Sequence, residues 1–246
     1  MKKALWLAFI YAMIQFACAV GLPNQLALAM LLSILLMTAY LGTFGFLSGD
    51  SRMYSPVSAP FLCWSLLFGV STILLVDGLL WLLPPLPNWL DDSFNILQTG
   101  WLGILCLTLL APILEELLFR GAIIRLLLPH YKPWIAILIS GLIFGVIHAN
   151  PAQTVPAILI GCALGWVYYL TRSVLPCILI HIFNNGMSVF LSTQFPQEEN
   201  LAQIMGAPVY VAVLVVAVVF FAMAVRKLLP YQETTPVEGE QIIENP

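Results

Sequence analysis

The chain has 246 residues, of which 61% are hydrophobic and 9% charged, with a formal net charge of −3. An ordinary soluble domain is about 45–50% apolar and about 25% charged, so this chain cannot cover itself with a solvated surface. That excludes a cytosolic enzyme and a disordered scaffold, and the lack of a basic excess excludes a nucleic-acid partner. What remains is a protein whose solvent is the lipid bilayer.

Apolar runs of about 20 residues indicate spanning helices rather than the alternating strands of a barrel, because a helix satisfies every backbone group within one segment. The fold class read from this is all-α, a polytopic membrane helix bundle of about eight transmembrane helices. Breaks at Pro, Gly and charge clusters place the spans at about 4–22, 25–47, 60–83, 100–128, 134–149, 154–171, 174–193 and 206–229. Residues 1–230 form one domain on this reading, and 231–246, with Glu233, Glu238, Glu240 and Glu244, form a polar disordered cytosolic tail. The first span starts with Lys2-Lys3 and contains Ala17-Cys18-Ala19, which resembles a signal-peptide cleavage site. Its apolar stretch is long enough to span, so a retained helix is the preferred reading. The fifth to seventh spans are joined by tight turns at Ala149-Asn150-Pro151 and Thr171-Arg172-Ser173 and are expected to pack as antiparallel neighbours. Gly141/Gly145 and Gly161/Gly165 are small-xxx-small pairs suited to close helix packing.

With eight spans and a cytosolic N-terminus, Lys2, Lys3, Arg52, Arg125, Lys132, Arg172, Arg226 and Lys227 all fall at cytosolic helix ends, and Arg120 lies towards the same side. The opposite loops carry Asp91, Asp92, Glu198 and Glu199 and no basic residue. This is a positive-inside pattern with both termini cytosolic, and with its short loops it suits a bacterial inner membrane. The cysteines Cys18, Cys63, Cys106, Cys162 and Cys177 are odd in number and scattered through apolar runs, so they read as packing residues.

Ionisable residues inside a span are costly, and each is a candidate functional group. Asp77 sits alone in the third span. In Leu114-Glu115-Glu116-Leu117-Leu118-Phe119-Arg120, helical geometry puts Glu116 and Arg120 at i, i+4, where they can neutralise each other. Glu115 points about 100° away and has no partner in its own helix. His148 lies one turn after Phe144, and His181 one turn before Asn185. At a rise of about 1.5 Å per residue, Glu115 and His148 both lie about 21 Å from the cytosolic ends of their spans, and Asn185 about 16 Å. Three helices thus bring a carboxylate, two imidazoles and one or two carboxamides to a similar depth.

Glu115-Glu116-x-x-x-Arg120, then Phe144-x-x-x-His148, then His181-x-x-x-Asn185 resembles the three-part signature of the CPBP intramembrane proteases, a superfamily that includes type II CAAX prenyl endopeptidases and bacteriocin-processing or immunity proteins. Each fragment alone is weak, but the three in order on hydrophobic spans are fairly specific. The match covers about 100–190, and the remaining spans agree with the family only in being helical. The resemblance implies that Glu115 and His148 hold the attacking water, with Glu115 as general base and later acid, and that His181 and Asn185 form the oxyanion hole. Glu116 and Arg120 would support the helix or bind a substrate carboxylate, Phe144 accompanies His148, and Asn184 competes with Asn185 for the site. The signatures of other membrane proteases are absent: there is no HExxH, no rhomboid-like Gly-x-Ser-Gly, and Leu47-Ser48-Gly49-Asp50 lacks the first glycine of GxGD.

Two His and one Glu with an open water position is also a common zinc set, so Glu115, His148 and His181 would be the ligands of a metal reading. The metal-free glutamate mechanism is preferred, with no cofactor. A proton-coupled transporter and a non-catalytic peptide-binding or immunity protein are the alternatives. The transporter lacks an internal repeat and paired broken helices. The expected partner is a membrane-embedded or lipid-anchored peptide within the lipid bilayer, and nothing in the chain selects which.

Overall fold

A computed structural model describes residues 1–47, 55–198 and 200–231. The expectations placed on Ser48, Gly49, Asp50, Arg52, Glu199 and the 232–246 tail lie outside the described residues. Those described are all helix and connecting turns, arranged as α1 (Lys2–Gly21), α2 (Leu26–Thr43), α3 (Ala59–Trp81), α4 (Asp91–Gln98), α5 (Trp101–Leu127), α6 (Pro133–Val146), α7 (Pro151–Thr171), α8 (Leu175–Gln194), α9 (Leu201–Met205) and α10 (Ala207–Leu228). The protein is an integral membrane protein built as a polytopic helical bundle.

Seven of these helices, α1, α2, α3, α5, α7, α8 and α10, are long and apolar enough to cross a bilayer. The fifth expected span is the exception. Helix α6 has 14 residues, about 21 Å of rise, against a hydrocarbon core of about 30 Å. It still joins the two ends of the bundle. At one end Tyr131 donates its hydroxyl to the Met1 sulfur at 3.5 Å and Phe61 packs edge-on to Tyr231. At the other, the Ala152 N–H donates to the Pro87 carbonyl at 3.1 Å and Ser192 donates to Gln98 at 2.5 Å. Helix α6 starts beside Tyr131 and the chain after it reaches Asn150, so the missing length is made up by the turn 147–150.

Local sequence explains the helix ends. Proline stands in the first turn of α3, α6, α7, α8 and α10, where its missing N–H would have had no intrahelical partner. Ser58 caps α3 by accepting from the Phe61 N–H at 3.4 Å. Arg172 closes α7 in the left-handed region at φ 53°, and Ala149 takes φ 49° between α6 and α7. The Ala149 turn is held by Asn150, which is fully buried. Its side chain accepts from the Trp89 N–H at 3.0 Å and donates to Asn88 at 2.8 Å, tying the turn to the loop after α3.

Two apolar clusters share α5. One joins Leu7 and Tyr11 of α1, Met37 and Leu41 of α2, Leu114 and Phe119 of α5 and Phe144 of α6. The other joins Phe68 of α3, Ile124 of α5, Leu164 and Tyr168 of α7, Ile180 of α8 and Leu228 of α10. Close packing of α6 on α7 depends on the paired glycines. A Cβ on Gly145 would lie 2.3 Å from Ile158 Cγ1 and 2.6 Å from the Thr154 carbonyl oxygen, and one on Gly161 would lie 2.9 Å from the Phe144 ring.

Asp77 is not alone. Its carboxylate accepts a short hydrogen bond from the buried Tyr210 hydroxyl of α10, so the pair clasps α3 to the last helix. Tyrosine in α10 read as one more apolar residue in a hydrophobic run, which is why its partner was not visible in sequence.

Candidate active site

Helix α5 is not a uniform α-helix. It widens to π-helical turns at Cys106–Leu110 and at Phe119–Ile123, on either side of the α-helical segment Ala111–Leu118 that carries Glu115 and Glu116. Pro112 gives a physical reason for the first widening. A proline ring clashes with the carbonyl four residues back and removes a donor. In the π register the Ala111 N–H bonds the Cys106 carbonyl, so the next carbonyl, Leu107, would need the N–H that Pro112 lacks. The Asn185 side-chain amide supplies it instead, donating to the Leu107 oxygen at 3.0 Å. A proline on α5 thereby fixes the orientation of a carboxamide on α8. Asn184 donates in turn to the Asn185 side-chain oxygen at 3.1 Å, so of the two carboxamides it is Asn185 that is anchored to the carboxylate helix.

Glu116 and Arg120 are both fully buried and meet as the i, i+4 pair, with Nη1 to Oε1 at 2.7 Å. Arg120 also donates through Nη2 to the Gly161 carbonyl of α7 at 2.8 Å, and its guanidinium lies over the Phe144 ring at 5.0 Å, a favourable cation–π arrangement. The Oε1 of Glu116 has a second partner, Nδ1 of His181 at 2.8 Å. Because that oxygen belongs to a carboxylate held by an arginine, it accepts, and the proton sits on His181 Nδ1. The other ring nitrogen, Nε2, faces Glu115 Oε2 at 3.7 Å. One imidazole is therefore set between two carboxylates.

Glu115 keeps a 14% exposed side chain, unlike its sealed neighbour Glu116. It has no partner in its own helix, but two other helices reach it. His181 approaches Oε2, and Tyr11 of α1 donates its hydroxyl to Oε1 at 3.2 Å. Tyr11 lies in the first span, which carries no motif residue, and the sequence reading missed it. The available signal was a phenol in mid-span, since a buried tyrosine hydroxyl needs a partner.

His148 lies in the turn just past the end of α6, partly buried, with Nδ1 2.7 Å from the Phe144 carbonyl. A carbonyl can only accept, so Nδ1 carries the proton and Nε2 presents a lone pair. The Phe144 ring stands edge-to-face with His148 at 5.1 Å and with His181 at 5.7 Å, so both imidazoles pack on one aromatic ring. The hydrogen bonds of the described residues join Glu115 to Tyr11 and place it beside His181, and none joins it directly to His148. No three His, Cys, Asp or Glu side chains among the described residues converge as a metal-holding group. Nδ1 of His148 is held by a carbonyl and Nδ1 of His181 by Glu116, which leaves the Nε2 atoms as the ring nitrogens directed toward the site.

This geometry coincides with a region of similarity to known proteins. Residues 96–187 match the family model described as type II CAAX prenyl endopeptidase Rce1-like, and every motif residue lies within that matched stretch. Over 100 residues the chain is 28% identical to the Bacillus subtilis (strain 168) protein named "Putative membrane peptidase YdiL", which is 41% of this chain and 41% of that protein. The match thus spans about two fifths of the curated relative's length. No solved structure matches.

Proposed function

We propose that this chain is an intramembrane endopeptidase that cleaves a membrane-embedded or lipid-anchored peptide by glutamate-activated water. The observation that carries the reading is the meeting of Glu115, Glu116 and Arg120 on α5 with His181 on α8, inside the stretch that matches the Rce1-like family model.

Peptide hydrolysis needs a base for water, donors for the oxyanion and an acid for the leaving amine. Glu115 Oε2 takes a proton from water, and the bare Nε2 of His148 is suited to hold the same water. The oxygen adds to the scissile carbonyl. The oxyanion is received by the amide hydrogen of Asn185 not spent on Leu107 and by His181 Nε2–H. Since His181 Nδ1–H is committed to Glu116, a donor at Nε2 requires the doubly protonated ring, for which Glu115 and Glu116 supply the countercharge. Glu115 then returns its proton to the leaving nitrogen as the C–N bond breaks. The distribution of Lys and Arg supports cytosolic termini, and together with the short loops it suits a bacterial inner membrane.

The test compares membrane-protein termini in cells carrying wild-type protein or Glu115→Gln. Termini that appear only with wild type support the reading. Identical termini, or loss of a transport or immunity phenotype without any change in termini, would refute it.

A further inference from the structure

We propose that Tyr11 is a positioning residue that fixes which oxygen of Glu115 does the chemistry. This rests on the reading of Glu115 as the base. Tyr11 is 2% exposed and sits halfway along α1, within the apolar cluster that α1 shares with α2, α5 and α6. Its only polar atom beyond the backbone is the phenol oxygen, and that oxygen donates to Glu115 Oε1. The partner cannot donate in return while ionised, so the hydrogen bond has one direction and favours the carboxylate.

The two carboxylate oxygens of Glu115 are thereby made unequal. Oε1 is tied to α1, and Oε2 is turned toward His181 Nε2. A glutamate side chain has three rotatable bonds, and holding one oxygen fixes the direction from which the other meets water. Such positioning separates a placed base from one that must find its geometry in each turnover. The tie crosses 104 residues of sequence, and it makes α1 a working wall of the site.

The experiment uses the full chain in proteoliposomes, as wild type, Tyr11→Phe and Glu115→Gln, with glutamate carboxyl groups labelled with ¹³C. The infrared band lost in Glu115→Gln reports the Glu115 carboxylate. In Tyr11→Phe that band is expected to shift, and turnover of a peptide taken from a Glu115-dependent cleavage site is expected to fall about tenfold in kcat with KM little changed. An unmoved band with turnover within about twofold of wild type overturns the proposal. If Tyr11→Phe does not fold, 3-fluorotyrosine at position 11 keeps the shape and alters only hydroxyl acidity, and the same band must move. A shifted band in a protein that cleaves nothing would uphold the positioning role and sink the protease reading, so the two fail separately.

Discussion

His181 Nδ1 and Arg120 Nη1 meet at the same atom, Oε1 of Glu116, at 2.8 and 2.7 Å. One carboxylate oxygen serves as the hinge between the charge pair of α5 and the imidazole of α8. Removing Arg120 alone leaves the buried Glu116 with only His181 beside it and breaks a buried ion pair from one side, which costs about 3–5 kcal/mol. Arg120→Met is therefore expected to lower the unfolding midpoint in detergent sharply. Adding Glu116→Gln to it should recover much of the loss, since a neutral pair has no unpaired charge to bury. A double variant no more stable than the single one would contradict the pairing.

Asn185→Ala removes the amide proposed above as an oxyanion donor, and on that mechanism kcat falls by about 10²–10³-fold. Pro112→Ala should act in the same direction by a different route. It restores an N–H that competes for the Leu107 carbonyl, freeing the Asn185 amide to turn. A loss of about tenfold to a hundredfold in kcat is expected, with an unfolding midpoint equal to or above that of wild type. Unchanged turnover would show that Leu107 does not orient the carboxamide.

Gly145→Ala drives a methyl group into Ile158 and the Thr154 carbonyl, and backbone cannot yield as a side-chain tip can. A destabilisation of about 1–3 kcal/mol is expected. Gly21→Ala, where nothing lies within 4 Å, is the matched control and should be neutral.

Tyr210→Phe takes away the donor that Asp77 has in α10. Loss of this partly buried hydrogen bond costs about 1 kcal/mol, read as a lower unfolding midpoint. Because the clasp joins α3 to α10 and touches no residue of the candidate site, cleavage at permissive temperature should remain at wild-type level.

Metal dependence is tested by exhaustive chelation with metal analysis of the purified protein. A glutamate mechanism predicts full activity after chelation and no stoichiometric zinc. Activity lost on chelation and restored by zinc would replace the mechanism proposed here.

How much of this was legible in the sequence depends on the range of each interaction. The spans were legible because each is an apolar run bounded by Pro, Gly or charge, and helices satisfy their own backbone. The Glu116–Arg120 pair was legible because both residues are on one helix four apart. The Tyr11 contact was not, because nothing local distinguishes a phenol that meets a carboxylate 104 residues away from one that packs in lipid. The link from Pro112 to Asn185 was hidden for a related reason. It depends on a one-residue change of helical register, and composition does not encode which carbonyl is left over. The shortfall in α6 was blurred because the apolar run continues through Ile147 into the turn.

The internal pairing of Glu116 with Arg120 also bears on how the chain enters the membrane. Helix α5 is made before α8, so when it partitions into lipid His181 does not yet exist as a partner. A glutamate and an arginine one turn apart let the helix cross as a locally neutral unit instead of carrying two separate charges into hydrocarbon. The site can be completed only after 65 more residues have followed, which leaves the nascent helix insertable and, until α8 arrives, chemically silent.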